Sequence, residues 1–371
     1  YQLKGLAEAE YRVFAVKDQF RDLLYQADQD LIGMPFIDIP LLNSDSSFTG
    51  LDFFLTKIDT IKPRIHNTVM TDKNHILITL SEECDSVTYT PENYSIIDST
   101  LNQIIPIEYS YLSKSKKTEL VLVVSQNMTK DNTYYLGGKL LTDLSGNRFE
   151  NEVNELIVSD KPDTNAPKII NSSPGKGNKI DFKNPEILIF FDDAISNKDV
   201  KNLIQFSDTL KNILSFSCTF VDNAILKIKP DKDLKADTDY LVTLNLSGFY
   251  DAAGNKKDSV FTLKFSTITG VEFTGLSGKI NTEKENVKIV LQNLKDEKLF
   301  FTVAPDNTSV YTFERINPGV YTLWVYSDKD SSGTYSKGYP EPFRFSEEFK
   351  VITDTLNLRP RWSVNDYNIE F

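Results

Sequence analysis

The 371-residue sequence has only two cysteines, two histidines, two tryptophans and three methionines. Cys84 and Cys218 fall in different modules of the repeat described below, so no structural disulfide is expected, and a chain of this length can bury its cores without one. Cys218 sits in the strand-like stretch 214–221 as a small core residue. Cys84 follows Glu82 and Glu83, whose charge raises a thiol pKa, so neither cysteine reads as a nucleophile. With only His66 and His75, and with no Gly-x-Ser-x-Gly, His-Glu-x-x-His or Cys–His arrangement, nucleophilic and zinc-dependent hydrolysis are excluded. Carboxylates are plentiful, 53 in all, but no pair stands out as the couple a glycosidase needs. No enzyme is expected. Basic charge is also short: 41 Lys and Arg leave a net charge of -12, which disfavours nucleic acid because phosphate binding draws on clustered cations. The one lysine cluster, Lys114, Lys116 and Lys117, reads as a solvated hairpin tip. No run approaches the roughly 18 uninterrupted apolar residues of a membrane helix, so membrane attachment would need an anchor upstream.

Short strands fill the sequence. ILITL (76–80), ELVLVV (119–124), ILIFF (187–191), ILKI (225–228), FTLKF (261–265), VKIVL (287–291) and YTLWVY (321–326) are rich in β-branched and aromatic residues and bounded by Asn, Asp, Gly or Pro. Helical periodicity is confined to a turn or two near Pro91–Tyr94 and Asn197–Ile204. The fold class is therefore all-β, a tandem series of β-sandwich domains.

Two repeats organise the chain. In the first, Tyr1/Tyr311, Leu6/Ile316, Tyr11/Tyr321, Val13/Leu323, Phe14/Trp324 and Asp18/Asp328 coincide at one fixed offset. Strand-like sequence precedes Tyr311 but none precedes Tyr1, so the first copy is expected to begin inside its domain. In the second, DTIKPRI (59–65) recurs as DTNAPKI (163–169), Tyr134 as Tyr240, and DLSGN (143–147) as DAAGN (251–255), a period of about 105 residues. Asp-x-x-Gly-Asn has a mechanical reading: Asp caps the turn, and Gly then Asn tolerate positive φ. The Asp-Thr-x-x-Pro segments read as stiff linkers. Boundaries are expected near Ile58, Asp160 and Ile268, and the length fits modules of roughly 100 residues.

PKIINSSPGKG (167–177), ILIFFDDAIS (187–196), TDYLV (238–242), DAAGN and FTLKFST (261–267) together resemble the bacterial Ig-like domain of the S-layer type. The stretch 59–160 resembles a divergent copy, without the SPGKG turn. The terminal segment 269–371, with SGKI, VKIVLQN and INPGVYTLWVYSD, resembles the transthyretin-like module also found as the regulatory domain of carboxypeptidases, and 1–58 corresponds to the C-terminal part of a second one. With YPEP (339–342) and LRPRW (358–362), the module order is similar to the Ig-like-domain lipoproteins of Bacteroidota. That resemblance implies an upstream signal peptide, a lipidated cysteine, a further Ig-like domain and an outer-membrane, cell-surface location. Asp-(Ser/Thr)-(aliphatic or Thr), which resembles the O-glycosylation consensus of that phylum, occurs at Thr60, Ser86, Ser99, Thr209, Ser259 and Thr355, although the same tripeptide also suits a turn entering a strand.

Asp328-Lys329-Asp330-Ser331-Ser332-Gly333 reproduces the start of a calcium loop, with oxygen donors Asp328, Asp330 and Ser332 at positions one, three and five and Gly at six. Position twelve, where a bidentate Glu would close the shell, is Tyr339, and Glu341 is two residues late. The first copy has Phe20 at position three. No other cofactor is expected. Tyr335, Tyr339 and Phe343 gather beside this loop with two prolines and are candidates for an interaction surface, for protein or glycan, or else cover the bottom of their own sandwich. The matching stretch of the first copy, 31–37, is strongly apolar, which favours burial or a protein partner. These features point to a non-catalytic scaffold or accessory subunit that contacts an integral β-barrel or other outer-membrane proteins. The alternative is a glycan-binding or adhesive module.

Overall fold

A computed structural model describes residues 1–43, 47–113 and 116–371. The chain is all-β, and its only helical pieces among the described residues are short 3₁₀ turns at Ser86–Tyr89, Pro91–Asn93, Lys201–Leu203 and Leu246–Gly248. Every apolar run named above is a strand, extended by up to three residues, except that Val124 of ELVLVV falls just beyond its strand. Two compact units result, 61–269 and a second one that joins 1–60 to 270–371.

In the unit 61–269 each half is a sandwich of two four-stranded sheets. The first stacks a sheet of Ile65–Met70, His75–Leu80, Glu119–Val123 and Tyr109–Leu112 on one of Gln103–Ile105, Tyr94–Asp98, Tyr134–Thr142 and Arg148–Leu156. Ile76, Ile78, Ile96, Leu120, Leu122 and Leu136 are fully buried between them. The second sandwich has Ile169–Ser173, Ile187–Phe191, Ile225–Pro230 and Phe216–Phe220 in one sheet and Lys179–Ile180, Val260–Thr267, Asp239–Asn245 and Ile204–Asp208 in the other.

The period of the repeat is visible in its hydrogen bonds. The Tyr134 hydroxyl accepts from the Thr129 amide at 3.1 Å, and the Tyr240 hydroxyl accepts from the Lys235 amide at 2.9 Å. Asp143 Oδ1 takes the Asn147 amide at 2.7 Å with Gly146 at φ +86°, and Asp251 Oδ1 takes the Asn255 amide at 2.8 Å with Gly254 at φ +84°. The Asp-x-x-Gly-Asn elements are turns held by a buried side chain, as expected. Lys114 lies outside the described residues. Lys116 and Lys117 precede strand Glu119–Val123 and pair with Glu119 and Glu83, at 3.0 and 3.3 Å.

The second unit corrects the expectation of separate terminal domains. Residues 270–371 build a sandwich from Val287–Asn293, Phe300–Val303, Gly319–Ser327 and Phe349–Leu358 facing Val310–Ile316, Thr274–Asn281 and Ile369–Glu370. Residues 1–60 contribute five short strands, and their small core of Ile32, Met34 and Ile58 is completed by Tyr339 and Phe343 of the other segment. Neither the offset of the repeat nor the linker at 59–63 shows this, because the covering hairpin has no counterpart in the first copy.

Gly278, in Thr274–Asn281, runs against the backbone of Tyr367, where a Cβ would meet the carbonyl oxygen at 2.0 Å. Gly278→Ala should cost about 1–3 kcal/mol through overpacking. A thermal melt that left the 270–371 sandwich unchanged would contradict this packing.

Candidate functional site

Ionisable groups gather into defined geometry in the acidic loop after Gly319–Ser327 and at the junction of the two sandwiches of 61–269.

In the acidic loop, strand Gly319–Ser327 delivers Asp328 into a buried position, and strand Phe349–Leu358 receives the chain after Glu347, which is buried as well. Asp328 Oδ2 accepts the Gly333 amide at 3.1 Å. Glu347 Oε1 accepts the Lys329 amide at 2.6 Å and its Oε2 the Ser336 amide at 3.0 Å. Asp330 is exposed and accepts from the Ser336 hydroxyl at 2.6 Å and the Ser332 amide at 2.9 Å; these bonds hold its carboxyl down at about 2. Burial pushes the Glu347 carboxyl up. Carboxylate oxygens of Asp328, Asp330 and Glu347 lie within 4.8 Å of one another.

The expected position-five donor is corrected. Ser332 turns its hydroxyl to the Thr334 carbonyl at 2.8 Å, and Glu347 takes the third place. Sequence spacing missed Glu347 because a hairpin of Tyr339–Pro340 and Phe343–Arg344 is inserted ahead of it.

The first copy repeats three bonds of this loop. Asp18 Oδ2 accepts the Leu23 amide at 2.9 Å, as Asp328 accepts Gly333. Asp30 takes the amides of Gln19 and Gln26, as Glu347 takes those of Lys329 and Ser336. Register agrees too: Val16 pairs with Ile32 and Tyr326 with Phe349. Tyr11 donates its hydroxyl to the Ala7 carbonyl at 2.8 Å, and Tyr321 to Asn317 at 2.7 Å. The equivalence stops at Tyr1, which is exposed outside any strand, whereas Tyr311 is buried in one.

The three aromatics offered as an interaction surface, or else as cover for a sandwich, are half-buried and pack within the molecule. Tyr335 sits among Trp324, Tyr326, Phe54 and Phe349 with ring centroids 5.5–5.8 Å apart, and burial pushes its phenol up to about 12. Tyr339 and Phe343 pack on Ile32, Met34 and Ile58. Arg12 closes over the Phe343 ring at 3.9 Å while chelating Asp38 with bonds of 2.7 and 2.5 Å. The apolar stretch 31–37 is thus the partner these rings cover.

Of the six Ser/Thr tripeptides, Thr60, Ser86, Ser99, Thr209 and Thr355 are exposed and Ser259 is half-buried. At three of them the Asp is already engaged in shaping a turn. Asp85 caps Ser86–Tyr89, Asp98 holds the Thr100 and Leu101 amides, and Asp208 holds that of Asn212.

At the junction, strand Glu119–Val123 is apolar on both faces. Leu120 and Leu122 enter the first core, while Tyr111 and Val123 belong to the core of the second sandwich, with Tyr109 and Val121 packed against it. His75 ends this surface. Its Nδ1 lies 2.8 Å from Asp72 and its Nε2 2.9 Å from Asp193 of the second sandwich. Both nitrogens face carboxylates, so both must donate, which only imidazolium can do. Burial alone would discharge the ring, but the bonds to Asp193 and Asp72 outweigh it and raise it to about 10. Asp163 also reaches this cluster, but with both ring nitrogens engaged the arrangement is an ion-paired clamp and not a ligand shell. Nearby, Lys198 places its ammonium 4.7 Å from the rings of both Tyr109 and Phe220, and Asn223 donates to the Ser110 carbonyl at 3.0 Å. Burial brings Lys198 down to about 8.

Neither cysteine suits nucleophilic chemistry: burial and then Glu82 push Cys84 up to about 12, and burial raises Cys218. A cavity of about 700 Å³ in the 1–60 segment is lined by Tyr1, Leu3, Tyr11, Ile39, Phe48 and Leu51, with Asp52 as its one carboxylate among the described residues.

Residues 163–267 match the bacterial Ig-like domain family, in agreement with the second sandwich. Comparison with curated proteins returns no match. Among solved structures, the N-terminal part of the bacterial S-layer protein SbsC is similar at 14% identity and a TM-score of 0.25, over 56% of this chain and 44% of that one. Domains 1–6 of the same protein are similar at 11% and 0.26, over 82% and 55%. The major pilin subunit BcpA of Bacillus cereus is similar at 9% and 0.21, over 75% and 93%. The chain thus spans about half the length of the S-layer structures it matches. At TM-scores this low, the Ig-like assignment rests on the strand topology and on the family match.

Because the folded His75 is raised above its unfolded value of about 6.5, its stabilisation is complete below pH ~6.5 and is lost as pH rises towards 10. His75→Ala, which leaves Asp72 and Asp193 facing each other unneutralised, should cost on the order of 3 kcal/mol at pH 6. Lys198 titrates in the opposite sense, so the wild-type minus variant difference isolates the histidine. Urea unfolding across pH 6–10 should show that difference shrinking; a constant difference would contradict a charged clamp.

Proposed function

We propose that this chain is a non-catalytic structural segment of a bacterial cell-surface protein, built around a stiff pair of β-sandwiches. The observation that carries this reading is the continuous core across the junction, with Tyr111 and Val123 of one sandwich buried in the other and His75 clamped to Asp193. Flexible bead strings keep polar linkers and separate cores, whereas these two sandwiches cannot hinge without exposing apolar surface and unpairing a charge. No helix among the described residues is long and apolar enough to cross a membrane.

The finer reading is a lipid-anchored outer-membrane lipoprotein of Bacteroidota type that serves as accessory subunit of a barrel assembly, secretion or import machine, with O-glycans at exposed tripeptides such as Thr60 and Thr209. It rests on the module order and on acidic, well-packed sandwiches without a catalytic constellation. The alternative is a glycan-binding or adhesive cell-surface module, whose binding face would lie elsewhere than on Tyr335, Tyr339 and Phe343, because these rings pack within the molecule.

The experiment is gentle extraction of the tagged protein from its native membrane, followed by mass spectrometry of what co-purifies. Recovery of a stoichiometric integral barrel is the expected result. Recovery of the protein alone, with saturable polysaccharide binding, would overturn the scaffold reading.

A further inference from the structure

We propose that the loop Asp328–Glu347 is a calcium site whose ligands are Asp328, Asp330 and Glu347. The decisive feature is one atom: Asp328 Oδ1 is buried and has no hydrogen-bond partner, although Asp328 is among the most buried side chains of its sandwich. A buried carboxyl oxygen without a donor is costly unless a cation faces it. Asp330 and Glu347 each bring a carboxylate oxygen within 4.8 Å of one from Asp328, and these groups are acceptors themselves. Three negative groups within 4.8 Å face a single lysine, Lys288, whose ammonium stands 3.9 Å from the other oxygen, Asp328 Oδ2. An all-oxygen, carboxylate-rich shell selects a hard cation, and a site assembled from loop residues of flexible reach suits calcium better than the strict octahedron of magnesium.

The molecule carries its own control. In the first copy Asp18 occupies the place of Asp328, yet its Oδ1 accepts the amides of Arg21 at 2.6 Å and Phe20 at 3.1 Å. There the third carboxylate is replaced by Phe20, Asp30 stands for Glu347, and every Asp18 oxygen has a backbone donor. The two loops share their other bonds, so the missing donor at Asp328 Oδ1 accompanies the gain of Asp330. Satisfaction by amides in one copy and by a cation in the other is the simplest account of both.

The test uses terbium as a calcium stand-in on the full chain. Tyr326 donates to the Gly333 carbonyl of the loop at 3.1 Å and its ring lies 5.5 Å from Trp324, so excitation of these rings should sensitise the bound lanthanide. Calcium should displace the signal with an affinity of about 0.1–1 mM, the range of extracellular modules. Asp330→Asn is exposed and isosteric, and keeps acceptors for Ser332 and Ser336; it should fold normally by circular dichroism and weaken binding tenfold or more. Asp18→Asn should leave binding unchanged. The proposal is overturned if calcium at about 10 mM displaces nothing, if Asp330→Asn binds as wild type, or if magnesium competes as well as calcium.

Discussion

A carboxylate buried beneath a turn and capped by amide N–H groups, from the backbone on one oxygen and from the backbone or an asparagine side chain on the other, is the device on which this structure depends. Asp98, Asp143, Asp208 and Asp251 do this in the Ig-like sandwiches, and Asp30 and Glu347 in the terminal unit, all of them buried. Short strands joined by tight loops leave amides that no ladder can satisfy, and a charged acceptor contributes about 1.5–3 kcal/mol per bond where a neutral one contributes less. This accounts for part of the acidic excess without chemistry. Carboxylates that sequence alone would offer as acid or base candidates are committed to holding loops.

The same device separates the two candidate sites. At the junction, Asp72 and Asp193 are acceptors that backbone amides only partly satisfy, Asn74 and His75 donating to Asp72 and Ala194 to Asp193, and the His75 ring completes them from between. In the acidic loop, the amides of Lys329, Ser336 and Gly333 satisfy three oxygens and leave Asp328 Oδ1 bare. Both sites are departures from full amide capping, and in both the departure demands positive charge.

Much of this was legible in the sequence where the cause was local. Strand runs, the Asp-x-x-Gly-Asn turns and the first two loop carboxylates each follow from neighbours within a few residues, so periodicity and turn chemistry reveal them. Glu347 was not, because it binds Lys329 from 18 positions away while Asp30 binds Gln19 from 11, and the inserted hairpin hides the equivalence. The shared core was half legible. ELVLVV is apolar at successive positions, which signals a strand covered on both faces, but the covering partner belongs to another module and leaves no mark in the run itself. The role of His75 left no mark in the sequence because its second carboxylate, Asp193, lies 118 residues on.

The inserted hairpin also shows what duplication did to the terminal unit. Both copies keep the loop skeleton, but one has spent its extra residues on a cover for the other: Tyr339 and Phe343 close the Ile32, Met34 and Ile58 core, and Ser346 ties its amide and hydroxyl to the carbonyls of Pro35 and Met34 at 3.0 Å each. A core of three buried aliphatics is too small to order a segment alone, since each contributes only about 1.5–3 kcal/mol against the entropy of ordering its neighbours. The segment 1–60 is therefore held by its sister copy. Because the hairpin returns the chain directly to Ser346 and Glu347, the residues that fasten this cover are continuous with those that shape the acidic loop. A cation drawn to Asp328 would stiffen the base of the hairpin, and order in the loop would be transmitted to the packing of the first copy through a few covalent bonds.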